Sequence, residues 1–161
     1  MDAQGGCIAG VKAAVRVGLI AVCLGGMQVN AAGPNEALLD AATLAQMEVQ
    51  ADRAKLADQC YMYTELLHGL TELASRQMAS GQDDAAGLTV ARMDAIMTKV
   101  QNVSNKNAKR LRNAEELMDH TTRRLADMAR VASGEQRDAM QRTLKRLNAV
   151  HTSILGMVFQ Q

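Results

Sequence analysis

Apolar side chains recur along most of the chain at spacings of four and three residues. On an α-helix this spacing places them in one stripe, the seam along which helices pack in a left-handed coiled coil. The first seam consists of Leu38, Ala42, Ala45, Val49, Asp52, Leu56, Cys60, Tyr63, Leu67, Leu70 and Ala74. Asp52 is its only charged member. The pattern predicts an all-α protein whose helices pack through such seams.

Two glycines divide the pattern into three predicted helices. Gly81 and Gly134 each follow a serine and shortly precede acidic residues. Glycine accepts the left-handed conformation that ends many helices, and acidic residues favour the first turn of the next helix. We therefore predict helices over about 36–80, 83–132 and 135–159.

Folding the chain back at these two glycines gives the predicted architecture. The first two helices form a long antiparallel hairpin, and the third helix packs on its basal half in a three-helix, coiled-coil-like bundle. The rest of the hairpin, about 59–109, then extends beyond the third helix by roughly 33 Å at 1.5 Å per residue. An alternative breaks the second helix at 102–107, where Asn and Ser favour turns, and closes a four-helix bundle within one chain. The seam crosses that segment without a skip, which favours the continuous helix.

Further apolar residues widen the seam along the extended part of the hairpin. Two packed helices need only a narrow seam, so a wide stripe there predicts that something else covers it. We expect either a second copy of the chain, giving a homodimer, or another envelope protein. The predicted interaction residues are Tyr61, Leu66, Leu73, Ile96 and Val103.

The first 31 residues have the pattern of a cleavable secretion signal. Lys12 and Arg16 precede a short apolar run over 17–29, and Val29-Asn30-Ala31 fits the small-x-small cleavage rule. The run is too short to span a bilayer comfortably. We expect residues 1–31 to be removed, which leaves 32–161 as a single helical domain that is periplasmic or secreted.

Export leaves one cysteine, Cys60, because Cys7 and Cys23 lie in the predicted leader. On a helical seam, a free cysteine behaves as a small apolar side chain, and burial raises its pKa and suppresses its reactivity. The alternative is an intermolecular disulfide, which an unpaired cysteine in an oxidising compartment permits. The buried thiol is the favoured interpretation.

Charge is balanced overall and divided along the chain. Residues 36–94 carry ten acids and four bases, whereas 95–161 carry six acids and twelve bases. One interpretation is that an acidic first helix packs beside basic later ones. The other is a patch for an anionic surface, such as lipid headgroups or an envelope polyanion. Its residues are Lys99, Lys106, Lys109, Arg110 and Arg112. Nucleic acid is disfavoured, since no aromatic residue interleaves this run.

Methionine and histidine supply the remaining candidate chemistry. Met93 and Met97 share a helical face, and thioethers hold copper(I). Glu116 and His120 are four positions apart and would need further ligands from elsewhere to hold a metal. Most methionines lie on the seams, where they are ordinary fillers of irregular gaps.

The sequence contains no recognisable nucleophile and base pair, phosphate-binding glycine loop or cluster of metal ligands. We therefore expect an exported, non-enzymatic helical protein without a cofactor, which acts through protein–protein contacts in a structural or adaptor role. The alternative is an envelope protein that binds a metal ion or an anionic surface.

Overall fold

In the computed structural model, residues 40–103 and 108–159 are described, and they form five α-helices. The helices are α1 (Ala41–Arg53), α2 (Leu56–Ala79), α3 (Asp83–Asn102), α4 (Ala108–Val131) and α5 (Gly134–Phe159). No strand occurs within these two ranges. The prediction of an all-α helical bundle is confirmed.

Several sequence predictions fall outside the described residues. They are the signal peptide over 1–31, which contains Cys7 and Cys23, the helix start at residue 36, and Lys106 in the basic run. These predictions remain expectations.

Four helices, α2 to α5, pack around one core. Both α2 and α5 pack against α3 and α4, so that α2 and α5 lie diagonally opposite each other. Arg110 of α4 pairs with Asp58 of α2 at 3.1 Å, and Arg124 pairs with Glu72 at 3.3 Å. Because both partners advance together, α2 and α4 run in the same direction. α3 and α4 therefore run antiparallel at diagonally opposite corners of the bundle.

The turn between α2 and α3 follows the predicted glycine stop. Gly81 has φ of 71°, and its N–H donates to the carbonyl of Met78 at 2.9 Å. The next N–H, of Gln82, donates to the carbonyl of Gln77 at 2.8 Å. These two bonds form a Schellman motif, which satisfies carbonyls that the end of α2 leaves unpaired. The two helices consequently meet as the antiparallel hairpin that the sequence predicts.

The second predicted helix is divided into α3 and α4. α3 ends at Asn102, and Val103 has the extended conformation φ −91°, ψ 114°. The structure therefore does not confirm a continuous helix over 83–132 or a hairpin that extends beyond a third helix. α3 ends where the run of Asn and Ser residues begins, and α4 lies beside α2 instead of extending away from it.

The first predicted helix also divides, at Ala54 and Lys55, and α1 folds back on α2, with ion pairs from its acids to α3. Both residues are extended, with ψ of 163° and 142°. The fully buried residues of α1 are Leu44 and Ala51, while Val49 and Leu56, two predicted seam residues, are 47% and 69% exposed. α1 therefore uses a different face from the one the continuous seam predicts.

The core of the bundle is apolar and close-packed. Burial of each large side chain contributes about 1.5–3 kcal/mol relative to exposure. Threonines in the core donate their hydroxyls to the carbonyl four residues earlier, so buried polar groups such as Thr64 and Thr71 are satisfied within their own helix. The largest fully buried side chains of the bundle are Leu66, Leu67, Leu70, Met93, Ile96, Met97, Leu111, Met118, Leu125, Met140 and Leu147.

Candidate functional site

A groove runs between the N-terminal halves of α3 and α5 and has a volume of about 730 Å³. Small side chains leave it open, and apolar side chains with one threonine form its floor. The small residues are Gly87, Ala91 and Ala139, and the floor residues are Val90, Met140 and Thr143. We call this feature the α3–α5 groove.

Gly87 shows that no side chain of the described chain occupies the groove at this point. A Cβ built on Gly87 would meet no heavy atom within 4 Å, and its φ does not require glycine. Glycine inside a helix costs about 0.5–1 kcal/mol relative to alanine. Intrachain packing within the described residues gives no reason for this cost, so the open space itself is the feature that a larger residue would remove.

The rim of the groove is acidic. Asp83 and Asp84 lie in the first turn of α3, and Glu135 lies in the first turn of α5. Each is favourable there because the helix N-terminus carries a partial positive charge. None of the three makes an ion pair with another described residue, and Arg142 is the one base that lines the groove. The fourth lining acid, Asp94, pairs with Arg146 at 3.0 Å.

Leu88 adds an exposed apolar side chain at the edge of the groove. It is 75% exposed although it lies in the second turn of α3, next to Gly87. A single exposed leucine is ordinary on a protein surface. Beside an apolar floor it enlarges the apolar surface that a bound partner could cover.

On another side of α3, two basic side chains reach the acids of α1, which packs on α2. Arg92 pairs with Glu48 at 2.6 Å, and Lys99 pairs with Glu48 at 3.0 Å and Asp52 at 2.7 Å. The hydroxyl of Tyr63 donates to Asp52 at 2.7 Å. We call these five residues the α1 clamp. Since Lys99 reaches both acids and Arg92 only the earlier one, α1 runs alongside α3 in the same direction.

The electrostatics of the α1 clamp favour its ionised carboxylates. The hydrogen bond from Arg92 lowers the pKa of Glu48, and the hydrogen bonds from Lys99 and Tyr63 lower that of Asp52. The bond to Asp52 raises the pKa of Lys99. Burial, followed by the bond to Asp52, raises the pKa of Tyr63 to about 12. These groups hold α1 in place, which gives their shifted pKa values a structural cause.

The predicted interaction stripe lies inside the bundle. Leu66 and Ile96 are fully buried, Val103 is buried, and Leu73 packs partly buried against the core. The reason is the break after Asn102, because it brings α4 and α5 over the hairpin of α2 and α3. These side chains do not form an exposed surface, so the stripe no longer argues for a second copy of the chain.

Tyr61, the fifth predicted interaction residue, remains partly accessible. Its ring packs against the core, and the guanidinium of Arg110 lies 5.0 Å from the ring centroid. A shallow pocket beside it is lined by Asn113, Glu116, Leu117 and His120. The Arg110 contact already covers one face of the ring, which leaves Tyr61 as a minor contributor to any contact surface.

Cys60 is fully buried on the predicted seam. Burial raises the pKa of its thiol to about 11, so the reactive thiolate is scarce at neutral pH. An intermolecular disulfide would require this part of the bundle to open. The geometry therefore fits the buried thiol that the sequence favours and not the disulfide.

The predicted basic run is divided between two helices and partly neutralised. Lys99 belongs to the α1 clamp on α3, and Arg110 on α4 pairs with Asp58. Lys109 and Arg112 are exposed on α4. Pairing of Lys99 and Arg110 within the chain removes two of the charges that an anionic surface would need.

Candidate metal ligands do not converge in the described part of the chain. No group of three or more His, Cys, Asp or Glu side chains there could hold a metal ion. His68 on α2 lies 3.3 Å from the hydroxyl of Thr121, and burial lowers its pKa. Met93 and Met97 are fully buried in the core. These groups serve packing and hydrogen bonding.

Comparisons with known proteins add no assignment. No family model matches the chain, and neither the curated proteins nor the solved structures contain a significant match. Among the described helices, none combines the length and the apolar character needed to cross a membrane.

Sequence reasoning missed the α3–α5 groove. Gly87, Ala91 and Ala139 carry no signal of their own, because small residues are ordinary in helices that pack closely. The available clue was Gly87, a glycine inside a helical pattern with no break beside it. Such a glycine commonly has a packing or functional reason.

Proposed function

We propose that this chain is an exported, non-enzymatic helical-bundle protein that binds another protein through the α3–α5 groove, in a structural or adaptor role. The observation that supports it most is the groove of about 730 Å³ between α3 and α5, where Val90 and Met140 form a buried apolar floor and Leu88 at the edge is exposed. The groove combines an apolar floor, an exposed leucine and charged rim residues, the composition of a small protein-binding surface.

A binding role accounts better than catalysis for the groups with shifted pKa values. Active sites gather such groups in a cleft, but Glu48, Asp52 and Lys99 pair with one another in the α1 clamp. The acids at the rim of the groove have no nucleophile or histidine beside them among its lining residues. Export is inferred from the leader pattern over residues 1–31 and places the proposed partner in the same compartment.

Site-specific photo-cross-linking in the source cells tests this function. A photo-reactive amino acid in place of Leu88 should give a discrete cross-linked protein. The same amino acid in place of Phe159 is the matched control, because that side chain is 82% exposed but lies at the far end of α5 from the groove. Equal products from both positions, or no product from position 88, would contradict the proposal.

A further inference from the structure

We propose that the partner presents a basic amphipathic helix to the α3–α5 groove. This inference deepens the proposed function and rests on it. The groove supplies a receiving surface between two helices, and its rim selects the charge of the helix that fits.

The shape of the groove suits a helix. α3 and α5 pack side by side, and their N-terminal halves expose Gly87, Ala91 and Ala139 toward the opening. Small residues on two neighbouring helices let a third helix approach closely, within the 8–10 Å that separates packed helix axes. A large apolar side chain of the incoming helix would lie over Val90 and Met140, with Leu88 beside it.

The charge of the rim selects a basic partner. Asp83, Asp84 and Glu135 are exposed and make no ion pair with a described residue, whereas Arg142 is the one lining base. Lysine or arginine side chains at the edges of a bound helix would meet these carboxylates. Because these three acids lie in the first turns of α3 and α5, an acidic helix would meet like charges on both helices at that end of the groove. Complementary rim charges mainly steer association and exclude wrong partners.

The molecule contains a precedent in α1. This helix packs on α2 with only Leu44 and Ala51 fully buried, and Arg92 and Lys99 of α3 bind its carboxylates. Charged side chains of α3 therefore already pair with complementary charges on a neighbouring helix. The rim of the α3–α5 groove is acidic, whereas Arg92 and Lys99 are basic. The groove therefore suits a basic helix.

Other occupants fit less well. Residues 32–39, which precede α1, carry one acid, Glu36, and no base. Their charge does not complement an acidic rim. A second copy of the chain could offer the exposed bases of α4, and sedimentation would detect the resulting dimer.

The probe is a labelled synthetic amphipathic peptide, about 15 residues long, with leucine on one face and lysine on the other. Its counterpart carries glutamate in place of lysine. Binding of both to the full chain is measured by fluorescence anisotropy at low and moderate salt. We expect the lysine peptide to bind at least about tenfold more tightly, with the difference shrinking as salt increases.

Three variants locate the binding. Gly87→Leu fills the groove and should weaken binding of the lysine peptide about tenfold or more. Gly156→Leu is the matched control, because it also adds a side chain in open space, on the C-terminal half of α5, and should leave affinity unchanged. The combined change Asp83→Asn, Asp84→Asn and Glu135→Gln should remove most of the preference for lysine over glutamate. Circular dichroism confirms that each variant keeps its helix content.

Equal affinity for the two peptides, or an affinity that Gly87→Leu does not alter, would overturn the inference. So would a wild-type dimer in sedimentation that Gly87→Leu dissociates, since a second copy would then be the occupant. Tighter binding of the lysine peptide by a fourth variant, Leu38→Ser, which adds no charge, would overturn it in favour of the chain's own residues 32–39. A partner cross-linked from Leu88 together with equal peptide affinities would leave the proposed function standing and remove only the basic helix.

Discussion

The two sides of α3 differ in what covers them. On one side Arg92 and Lys99 form ion pairs with the acids of α1, which itself packs on α2. On the opposite side, about 200° around the helix from Arg92 at 100° per residue, Asp94 lies at the edge of the groove between α3 and α5. The basic residues on the first side are paired with acids of α1, while Asp83 and Asp84 at the rim of the groove make no ion pair with a described residue. The difference separates the charges of α3 that the described chain already pairs from those that it leaves available to a partner.

α1 also shows how little apolar burial a docked helix needs. α1 buries Leu44 and Ala51 fully, whereas α2 buries nine residues in the core. The four-helix core depends on apolar packing, and α1 depends more on the α1 clamp. Substitutions in the two regions should therefore differ in size and in the part of the molecule they affect.

The largest effect should come from Leu66→Ala in the core. Leu66 is fully buried, so its truncation should lower the free energy of unfolding by about 2–5 kcal/mol and disturb both sides of α3 together. Chemical denaturation of the full chain measures this. Leu88→Ala is the control and should change stability by less than about 0.5 kcal/mol, because that side chain is exposed. Similar losses of stability for the two variants would place Leu66 at the surface, as the predicted interaction stripe requires.

A smaller and local effect should follow from Glu48→Gln combined with Asp52→Asn. These changes remove the acids of the α1 clamp and should weaken docking of α1 by about 1–2 kcal/mol, with the exposed position of Asp52, at 45%, limiting the loss. Hydrogen exchange should become faster in α1 and stay unchanged in α4. The matched pair Asp119→Asn and Asp127→Asn removes two surface ion pairs of α4 and should leave α1 unaffected.

Low pH should weaken docking of α1 in the same way without mutation. The docked state lowers the pKa of Asp52 and Glu48, so their contribution is complete above their ordinary values of 3.8 and 4.5. It is lost as the pH falls through the lower values of the docked state. Protection of α1, measured as its exchange relative to the intrinsic rate, should therefore stay constant from neutral pH down to 4.5 and decrease below it, and the double variant should lose this dependence. An equal dependence in the double variant would assign the acid response to other groups.

At alkaline pH, ionisation of Tyr63 should remove its hydrogen bond to Asp52 in the α1 clamp. Its pKa of about 12 lies above the ordinary value of 10.0, so its contribution is present below pH 10 and lost as the pH rises toward 12. Burial also raises the pKa of Tyr61, the other tyrosine of the chain. Titration of tyrosinate absorbance should therefore resolve a last step, at about pH 12, that Tyr63→Phe removes and Tyr61→Phe leaves. A last step at about pH 12 that survives in Tyr63→Phe would contradict its assignment to Tyr63.

The smallest effect should be a gain, from Gly87→Ala on the open side. Alanine removes the flexibility of glycine and adds one methyl group in open space, which should raise the free energy of unfolding by about 0.5–1 kcal/mol. Thermal denaturation measures it. A loss of stability would mean that the position is constrained by packing and that the groove is not open at this point.

The sequence predicted which residues are buried better than it predicted where the helices end. The seams of α2 to α5 are buried largely as expected, because apolar spacing is a local property of each helix. The break at Ala54 has no glycine or proline to mark it, and it is stabilised by contacts with α3 that are remote in sequence. Its one local trace was Asp52, a charged residue on an otherwise apolar seam. The segment 102–107 did carry turn residues, but the unbroken seam pointed the other way.

The groove was not predictable from periodicity. Spacing identifies which residues a helix buries, but it does not reveal where two helices leave a gap between them. That gap depends on how α5 lies against α3. The two helices are neighbours because the second predicted helix is divided.

The most direct test of the acidic groove as a receiving surface is hydrogen exchange of the full chain with and without the leucine–lysine peptide. We expect slower exchange over residues 83–94 and 135–143, with no change in α1. Protection confined to α1 or α4, or no protection at all, would contradict the account.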